Sequence, residues 1–194
     1  PVDRTRLLKF AMQGEEVARG TVHVDNIAPS LFGGLVLTVG IDDPYVKQIP
    51  VPGTIRCVLV RPHMMVATRD ARGILKKEID LSDAIWQQAN LAGFLAGCYT
   101  DDLPLIHASL LDVIIEPQRQ KLIPGFATVK QAAVGAGALG CSISGAGPTV
   151  FAWATADRAQ AVQQAMVRGF VEHEMQSDSW ISAIDTAGAR VVRG

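Results

Sequence analysis

Apolar and polar residues recur along this chain with two periods, one typical of helices and one typical of strands. Apolar positions at helical spacing predict helices over residues 6–14, 82–98, 105–115, 125–136 and 156–171. Short apolar runs predict strands over residues 35–39, 55–60, 149–154, 180–184 and 189–192. Strands interleaved with helices predict an α+β or α/β fold.

Two stretches break this pattern. Residues 20–29 are rich in small and polar groups and are predicted to form a loop. Residues 49–53 hold two prolines and a glycine, a composition typical of a junction between domains. We therefore expect two domains, one over residues 1–50 and the other over residues 51–194.

Composition excludes several function classes. The 194 residues are 48% hydrophobic and 19% charged, which allows a buried core and argues against disorder. A net charge of −1 gives no electrostatic reason to expect nucleic acid or an anionic membrane as partner. Three cysteines without paired spacing, and no apolar run long enough to span a membrane, lead us to expect a reduced, cytoplasmic protein without a zinc site.

A glycine-rich turn is the first candidate for chemistry. Ser144, Gly145, Ala146 and Gly147 lie between two apolar segments. Glycine adds no side-chain bulk, so backbone amides in such a turn can approach an anion, and the serine adds a hydroxyl donor. A tight hairpin without any ligand explains the same residues equally well.

Two polar stretches near the start of the chain are further candidates. His23, Asp25 and Asn26 fall within four residues and can together bind an amine, a hydroxyl or a metal-bound water. Glu15, in Gly-Glu-Glu at the end of the first helix, can act as a Mg²⁺ ligand. The structural alternatives are a loop whose side chains bond to their own backbone and a solvated helix face.

Two arginines in separate segments form the last candidate. Arg72 and Arg119 could grip a carboxylate, because a guanidinium presents parallel donors in a fork. The alternative is a pair of surface ion pairs, for instance between Arg119 and Glu116.

These segments resemble the GHMP kinases, and among them the homoserine kinases. The sequence carries HVDNIAP at 23–29, TRDAR at 68–72, EPQR at 116–119 and SISGAGP at 142–148, and it closes with DTAGAR at 185–190. The order of these motifs matches that family over essentially the whole chain. The resemblance implies an α+β fold, in which residues 1–50 are a remnant of the amino-terminal, ATP-binding domain. Residues 51–194 would form a ferredoxin-like carboxy-terminal domain with extra helices.

The resemblance also implies an activity and roles for individual residues. The expected reaction moves the γ-phosphoryl group of ATP to the side-chain hydroxyl of L-homoserine, in threonine biosynthesis. Glu15 would hold Mg²⁺ and, with Asn26, serve the reaction. The substrate would meet the residues His23, Asp25, Asn26, Thr68, Arg72 and Arg119, and the turn Ser144–Gly147 would lie beside the phosphates. No residue is a clear catalytic base.

One departure from the family limits this expectation. The glycine- and serine-rich phosphate loop of the family precedes its first long helix, and no such loop occurs in this sequence. We therefore expect the chain to be inactive by itself. There are two alternatives: another GHMP kinase acting on a different small molecule, and a non-catalytic ligand-binding module. Homodimerisation is common in the family and is an expectation here.

Overall fold

The computed structural model describes residues 3–19, 24–40 and 42–192 of the chain. They form two compact units, the first built from Pro1–Val51 and Ile184–Gly194 and the second from Pro52–Ala183. The predicted boundary at residue 50 thus lies beside the observed division. Residues 184–194, which the sequence analysis placed in the second domain, belong to the first unit. That the first unit is part of an ATP-binding domain stays a prediction.

The first unit packs two helices against a two-stranded antiparallel sheet. Its elements are α1 Arg4–Arg19, α2 Val24–Phe32, β1 Leu35–Val39 and β2 Tyr45–Ile49. Leu35 lies opposite Ile49 in the β1–β2 register. Leu8 and Met12 of α1 and Ala28 of α2 are buried together and form the small core of this unit. The strand predicted at 35–39 is confirmed.

Helix α2 corrects the prediction of a loop over residues 20–29. Residues 20–23 lie outside the described residues, but 24–29 are helical, with Pro29 inside the helix. The sequence does carry a helical signal, because Val24, Ile27, Ala28 and Leu31 follow the i, i+3, i+4, i+7 spacing and all contribute to the core. The loop was predicted because the same stretch also contains polar residues and a proline.

The end of the chain packs on α2 and does not form the strand predicted at 189–192. The Gly34 amide donates to the Asp185 carbonyl at 2.7 Å, and the Ala189 amide donates to the Ser30 carbonyl at 3.1 Å. Arg4 Nη2 donates to the Ala187 carbonyl at 2.8 Å. This closing segment, residues 185–189, therefore packs with α1 and α2.

The second unit contains one four-stranded sheet and most of the helices. Its strands are β3 Ile55–Pro62, β4 Gly140–Ile143, β5 Val150–Thr155 and β6 Ser177–Ala183. Its helices are α3 Thr68–Gly73, α4 Leu81–Thr100, α5 Leu103–Ser109, α6 Glu116–Arg119, α7 Phe126–Gly135 and α8 Ala159–Val171, with a 3₁₀ turn at Gln120–Leu122.

The strand order identifies the sheet as ferredoxin-like. The order across the sheet is β4-β5-β3-β6, and every neighbouring pair is antiparallel. Along the chain these elements follow the pattern strand, helices, strand, strand, helix, strand, which is the βαββαβ arrangement with extra helices before β4. The predicted fold class is confirmed. The core lies where α7 and α8 cover the sheet, with Val58, Val129 and Phe170 fully buried.

Several predicted bounds differ from the structure. The helix predicted over 105–115 ends at Ser109, and Asp112 then starts a new helix. Strands β2 and β4, of five and four residues, were not predicted, because each shows little apolar alternation. Within the described part of the chain, no helix combines the length and hydropathy that crossing a membrane requires.

We predict that Gly188→Ala strongly destabilises the first unit. Gly188 has φ +66°, and an added Cβ would lie 2.5 Å from the Phe32 carbonyl carbon and 2.6 Å from the Gly33 nitrogen. Left-handed strain and backbone overlap should together lower the free energy of unfolding by roughly 2–4 kcal/mol. Urea denaturation would measure the loss.

Gly14→Ala is the matched control for this experiment. Gly14 lies within α1, and an added Cβ would meet nothing within 4 Å. This change should be neutral or stabilise by about 0.5–1 kcal/mol. Equal stability of the two variants would contradict the close approach of the closing segment.

Candidate active site

A cleft in the first unit brings together two residues that the sequence analysis selected separately. Glu15 from α1 and Asn26 from α2 both line this cleft, whose volume is about 540 Å³. Apolar side chains of the same two helices, including Leu7 and Ile27, form much of the remaining lining. Helix α2 thus places Asn26 beside the helix that carries Glu15.

The other described candidate residues near Glu15 and Asn26 do not line this cleft. Asp25 is exposed and does not line the cleft, and Glu16 is exposed on α1. His23 lies outside the described residues. Ser30, one turn after Asn26, lines the cleft and donates from its hydroxyl to the Asn26 carbonyl at 2.9 Å. Sequence reasoning missed Ser30, although its spacing of four residues from Asn26 places both on one helix face.

The donor chemistry of the cleft fits Mg²⁺ in one respect. The Glu15 carboxylate and the Asn26 amide supply hard oxygen atoms. Among the described residues, no three His, Cys, Asp or Glu side chains cluster closely enough to enclose a metal. A cation with one protein carboxylate needs further oxygens, which Mg²⁺ usually takes from water and nucleotide phosphates. Glu15 and Asn26 could supply protein oxygen ligands to a Mg²⁺ that also binds water and phosphates.

The glycine-rich turn lies in the second unit and joins β4 to β5. The Ser144 amide donates to the Thr149 carbonyl at 2.8 Å, and the Gly147 amide donates to the Ser144 carbonyl at 3.0 Å. Gly145 and Gly147 have φ +58° and +86°, so both need the left-handed region. The turn is a hairpin, as the structural alternative held, and a role with phosphate stays a prediction.

Arg119 connects this turn to a second candidate segment. Its Nε donates to the Ala71 carbonyl on α3 at 3.0 Å, and its Nη1 donates to the Gly145 carbonyl at 2.9 Å. Thr68 and Arg72, both exposed, lie on the same short helix as Ala71. One half-buried guanidinium thus joins the predicted carboxylate-binding segment to the glycine-rich turn.

The proposed ion pair between Arg119 and Glu116 does not form. Glu116 is buried and pairs instead with Lys130 of α7. Sequence reasoning missed Lys130, although it is the one charged residue in the otherwise apolar and neutral helix α7. A lone charge in such a helix is a signal for a buried partner.

Comparison with known proteins finds similarity to one family. Residues 91–172 match the family model described as GHMP kinases C terminal. The matched stretch runs from within α4 to just past the end of α8. The chain is 43% identical to a homoserine kinase of Chlorobium phaeovibrioides, over 99% of this chain and 61% of that protein.

Solved structures show a similar likeness. A homoserine kinase from Cytophaga hutchinsonii is similar with a TM-score of 0.95 and 46% identity, over 98% of this chain and 61% of that one. A mevalonate kinase from L. major is similar with a TM-score of 0.71 and 15% identity, over 97% of this chain and 60% of that one, which shows the fold alone. The chain spans about three fifths of the length of the relatives it matches.

The three cysteines are free thiols, of which Cys98 and Cys141 are buried and Cys57 is partly buried. Burial raises the pKa of the Cys57 thiol to about 11 and that of Cys141 to about 12, and it also raises the pKa of Cys98. At Cys141, which lies on β4, the Lys130 ammonium opposes this rise in pKa and the Glu116 carboxylate adds to it. Thiols with such values remain protonated at neutral pH and are poor nucleophiles.

We predict that Cys57 and Cys141 of the native protein resist iodoacetamide at pH 8. Because alkylation requires the thiolate, the pKa values near 11 and 12 should slow it about 100-fold and about 1000-fold relative to an ordinary thiol. Mass spectrometry of native and urea-denatured samples would measure this. The thiols of Cys57 and Cys141 stay protonated to higher pH in the folded state than in the unfolded chain. The free energy of unfolding should therefore fall as pH rises above 9.0. Rapid native labelling of Cys141 would contradict its burial.

Proposed function

We propose that the protein is a homoserine kinase, which transfers the γ-phosphoryl group of ATP to the side-chain hydroxyl of L-homoserine. The product would be O-phosphohomoserine, on the route to threonine. The observation that carries the proposal is the 46% identity and TM-score of 0.95 to the Cytophaga hutchinsonii homoserine kinase over 98% of this chain. That likeness extends over both compact units.

Phosphoryl transfer of this kind depends mainly on positioning and charge stabilisation. In the first unit, Glu15 is the proposed ligand of Mg²⁺, and Asn26 on the same cleft is proposed to meet the substrate near its reacting end. Mg²⁺ would neutralise charge on the nucleotide phosphates. His23 and Asp25 are proposed to contact the amino acid, as the resemblance implies. These roles follow from the resemblance, and the shared cleft of Glu15 and Asn26 supports them.

In the second unit, Arg72 and Arg119 are the proposed partners of the substrate carboxylate, with Thr68 shaping the pocket. The two hydrogen bonds of Arg119 use its Nε–H and one N–H of Nη1. A guanidinium carries five N–H groups, so three N–H groups remain as donors for a carboxylate. The same residue holds the Gly145 carbonyl, and the Ser144–Gly147 turn is the proposed neighbour of the phosphates.

Two alternatives remain from the sequence. Another GHMP kinase with a different small substrate is the nearer one, because the likeness to a mevalonate kinase shows that this fold does not select a substrate. A non-catalytic ligand-binding module is the other. A panel of small hydroxylated substrates, together with calorimetry using homoserine and ATP, would separate all three.

We predict that Glu15→Gln lowers kcat about tenfold or more while the fold stays intact. The change preserves size but removes the negative charge proposed to hold Mg²⁺. The complete protein would be assayed by coupled ADP release across a range of Mg²⁺ concentrations. Excess Mg²⁺ should recover part of the activity.

Glu16→Gln is the control for Glu15→Gln. Glu16 follows Glu15 on α1, is exposed, and does not line the cleft. Its substitution should leave kcat unchanged. Loss of activity in Glu16→Gln with normal activity in Glu15→Gln would transfer the proposed metal role to Glu16.

We predict that Arg72→Lys raises the KM for homoserine about 10- to 100-fold, with a smaller effect on kcat. A charge-assisted hydrogen bond contributes roughly 1.5–3 kcal/mol, and each 1.4 kcal/mol is about tenfold in affinity. Arg119→Lys should raise KM similarly and also lower kcat, because it loses the bond to Gly145. Steady-state kinetics with homoserine and with an analogue lacking the carboxylate would measure both effects.

Arg69→Lys is the control for these two variants. Arg69 lies on α3 beside Arg72, and its side chain is 96% exposed. It should keep the wild-type KM and the preference for homoserine over the analogue. If Arg72→Lys and Arg119→Lys also keep that preference, the carboxylate assignment is wrong.

A further inference from the structure

Helix α6 is too short to hold its own position. It has four residues, Glu116–Arg119, and an isolated helix of that length is not stable in water. Asp112 starts it, because Oδ1 accepts from the amides of Ile114 and Ile115 at 2.9 and 2.7 Å and Oδ2 accepts from the Glu116 amide at 3.1 Å. Contacts outside the helix must therefore fix its place.

One of those contacts is an ion pair in the interior. Glu116 is 7% exposed, and one oxygen of its carboxylate accepts from Lys130 Nζ on α7. The other oxygen is buried without a hydrogen-bond partner among the described residues. Burying a carboxylate and an ammonium carries a desolvation penalty that their attraction often fails to exceed. Stability alone is therefore a weak reason for this pair.

The opposite end of α6 carries Arg119, one turn after Glu116. Its guanidinium reaches the Ala71 carbonyl and the Gly145 carbonyl, which lie on α3 and on the glycine-rich turn. Both bonds require Arg119 to approach from a fixed position. Contacts of α6 with its neighbours set that position: α6 packs against β4, and the ion pair between Glu116 and Lys130 joins α6 to α7.

We propose that the buried pair Glu116–Lys130 is a positioning device for Arg119, which holds its guanidinium between the Ala71 and Gly145 carbonyls. Neither partner touches substrate in this role. The proposed effect on the position of Arg119 depends only on contacts within the second unit. The kinetic consequence, an effect on homoserine binding, rests on the function proposed above.

The first test measures the position of Arg119 without any assay of activity. The Nε–H group of Arg119 should give a shifted, slowly exchanging signal in ¹H–¹⁵N NMR spectra of the protein, because it donates to a carbonyl. Arg119→Lys would assign the signal by removing it. Lys130→Met, which keeps the length of the side chain and removes its charge, should speed exchange of this proton at least about tenfold.

Three further variants distinguish positioning of Arg119 from an effect on stability alone. Lys130→Arg, which keeps the charge, should retain the signal, and Lys9→Met is the matched control because Lys9 forms an exposed pair with Asp43 at 2.8 Å. If Lys130→Met does not fold, the double variant Glu116→Gln/Lys130→Met leaves no charge unpaired and should fold. It should still lose the protection of Arg119. An unchanged Arg119 signal in the folded Lys130→Met or double variant would overturn the proposal.

Kinetics of the complete protein add the functional consequence. The double variant should raise the KM for homoserine at least about fivefold while the KM for ATP stays within about twofold of wild type. A rise in both constants together would overturn selective positioning. If the wild-type protein does not phosphorylate homoserine, the proposed function fails, and the NMR experiment still decides whether the pair positions Arg119.

Discussion

The antiparallel pairing of β3 with β5 determines where the candidate residues of the second unit lie. Val60 near the end of β3 pairs with Val150 at the start of β5, and Ile143 at the end of β4 pairs with the same Val150. The chain therefore leaves β3 toward α3 at the same end of the sheet where the glycine-rich turn enters β5. A side chain placed at that end can reach both segments, and Arg119 does so through two carbonyl oxygens.

Local patterns were sufficient to predict much of this fold. The strands at 35–39 and 55–60 and the long helices had periodic apolar residues, and the structure confirms them. Helix α2 was misread because a proline and three polar residues outweighed an apolar spacing that a helix explains. The helix predicted over 105–115 was too long, because the carboxylate of Asp112 offers the backbone amides a new start.

Residue types were sufficient to select several candidate site residues, but their contacts are seen only in the structure. Glu15 and Asn26 were selected from separate motifs, and one cleft now contains both. The type of Arg119 predicted a carboxylate ligand, but no sequence pattern shows that it also donates to the carbonyls of residues 71 and 145. The partner of Glu116 was not predicted either, because Arg119 is nearer in sequence and the actual partner, Lys130, lies fourteen residues away. The lone charge of Lys130 in α7 was the signal that could have indicated it.

The contact between the two ends of the chain has a consequence for the order of folding. Residues 52–183 form their unit as one continuous stretch inserted between the two segments of the other unit. Arg4 and Ala187, which share a hydrogen bond, are separated by 183 positions. During synthesis residues 52–183 can fold as soon as they leave the ribosome, whereas α1 and α2 complete their packing only after residues 184–192 have been made. Once residues 52–183 have folded, the segments on either side of them have a shorter distance to close before they pack together.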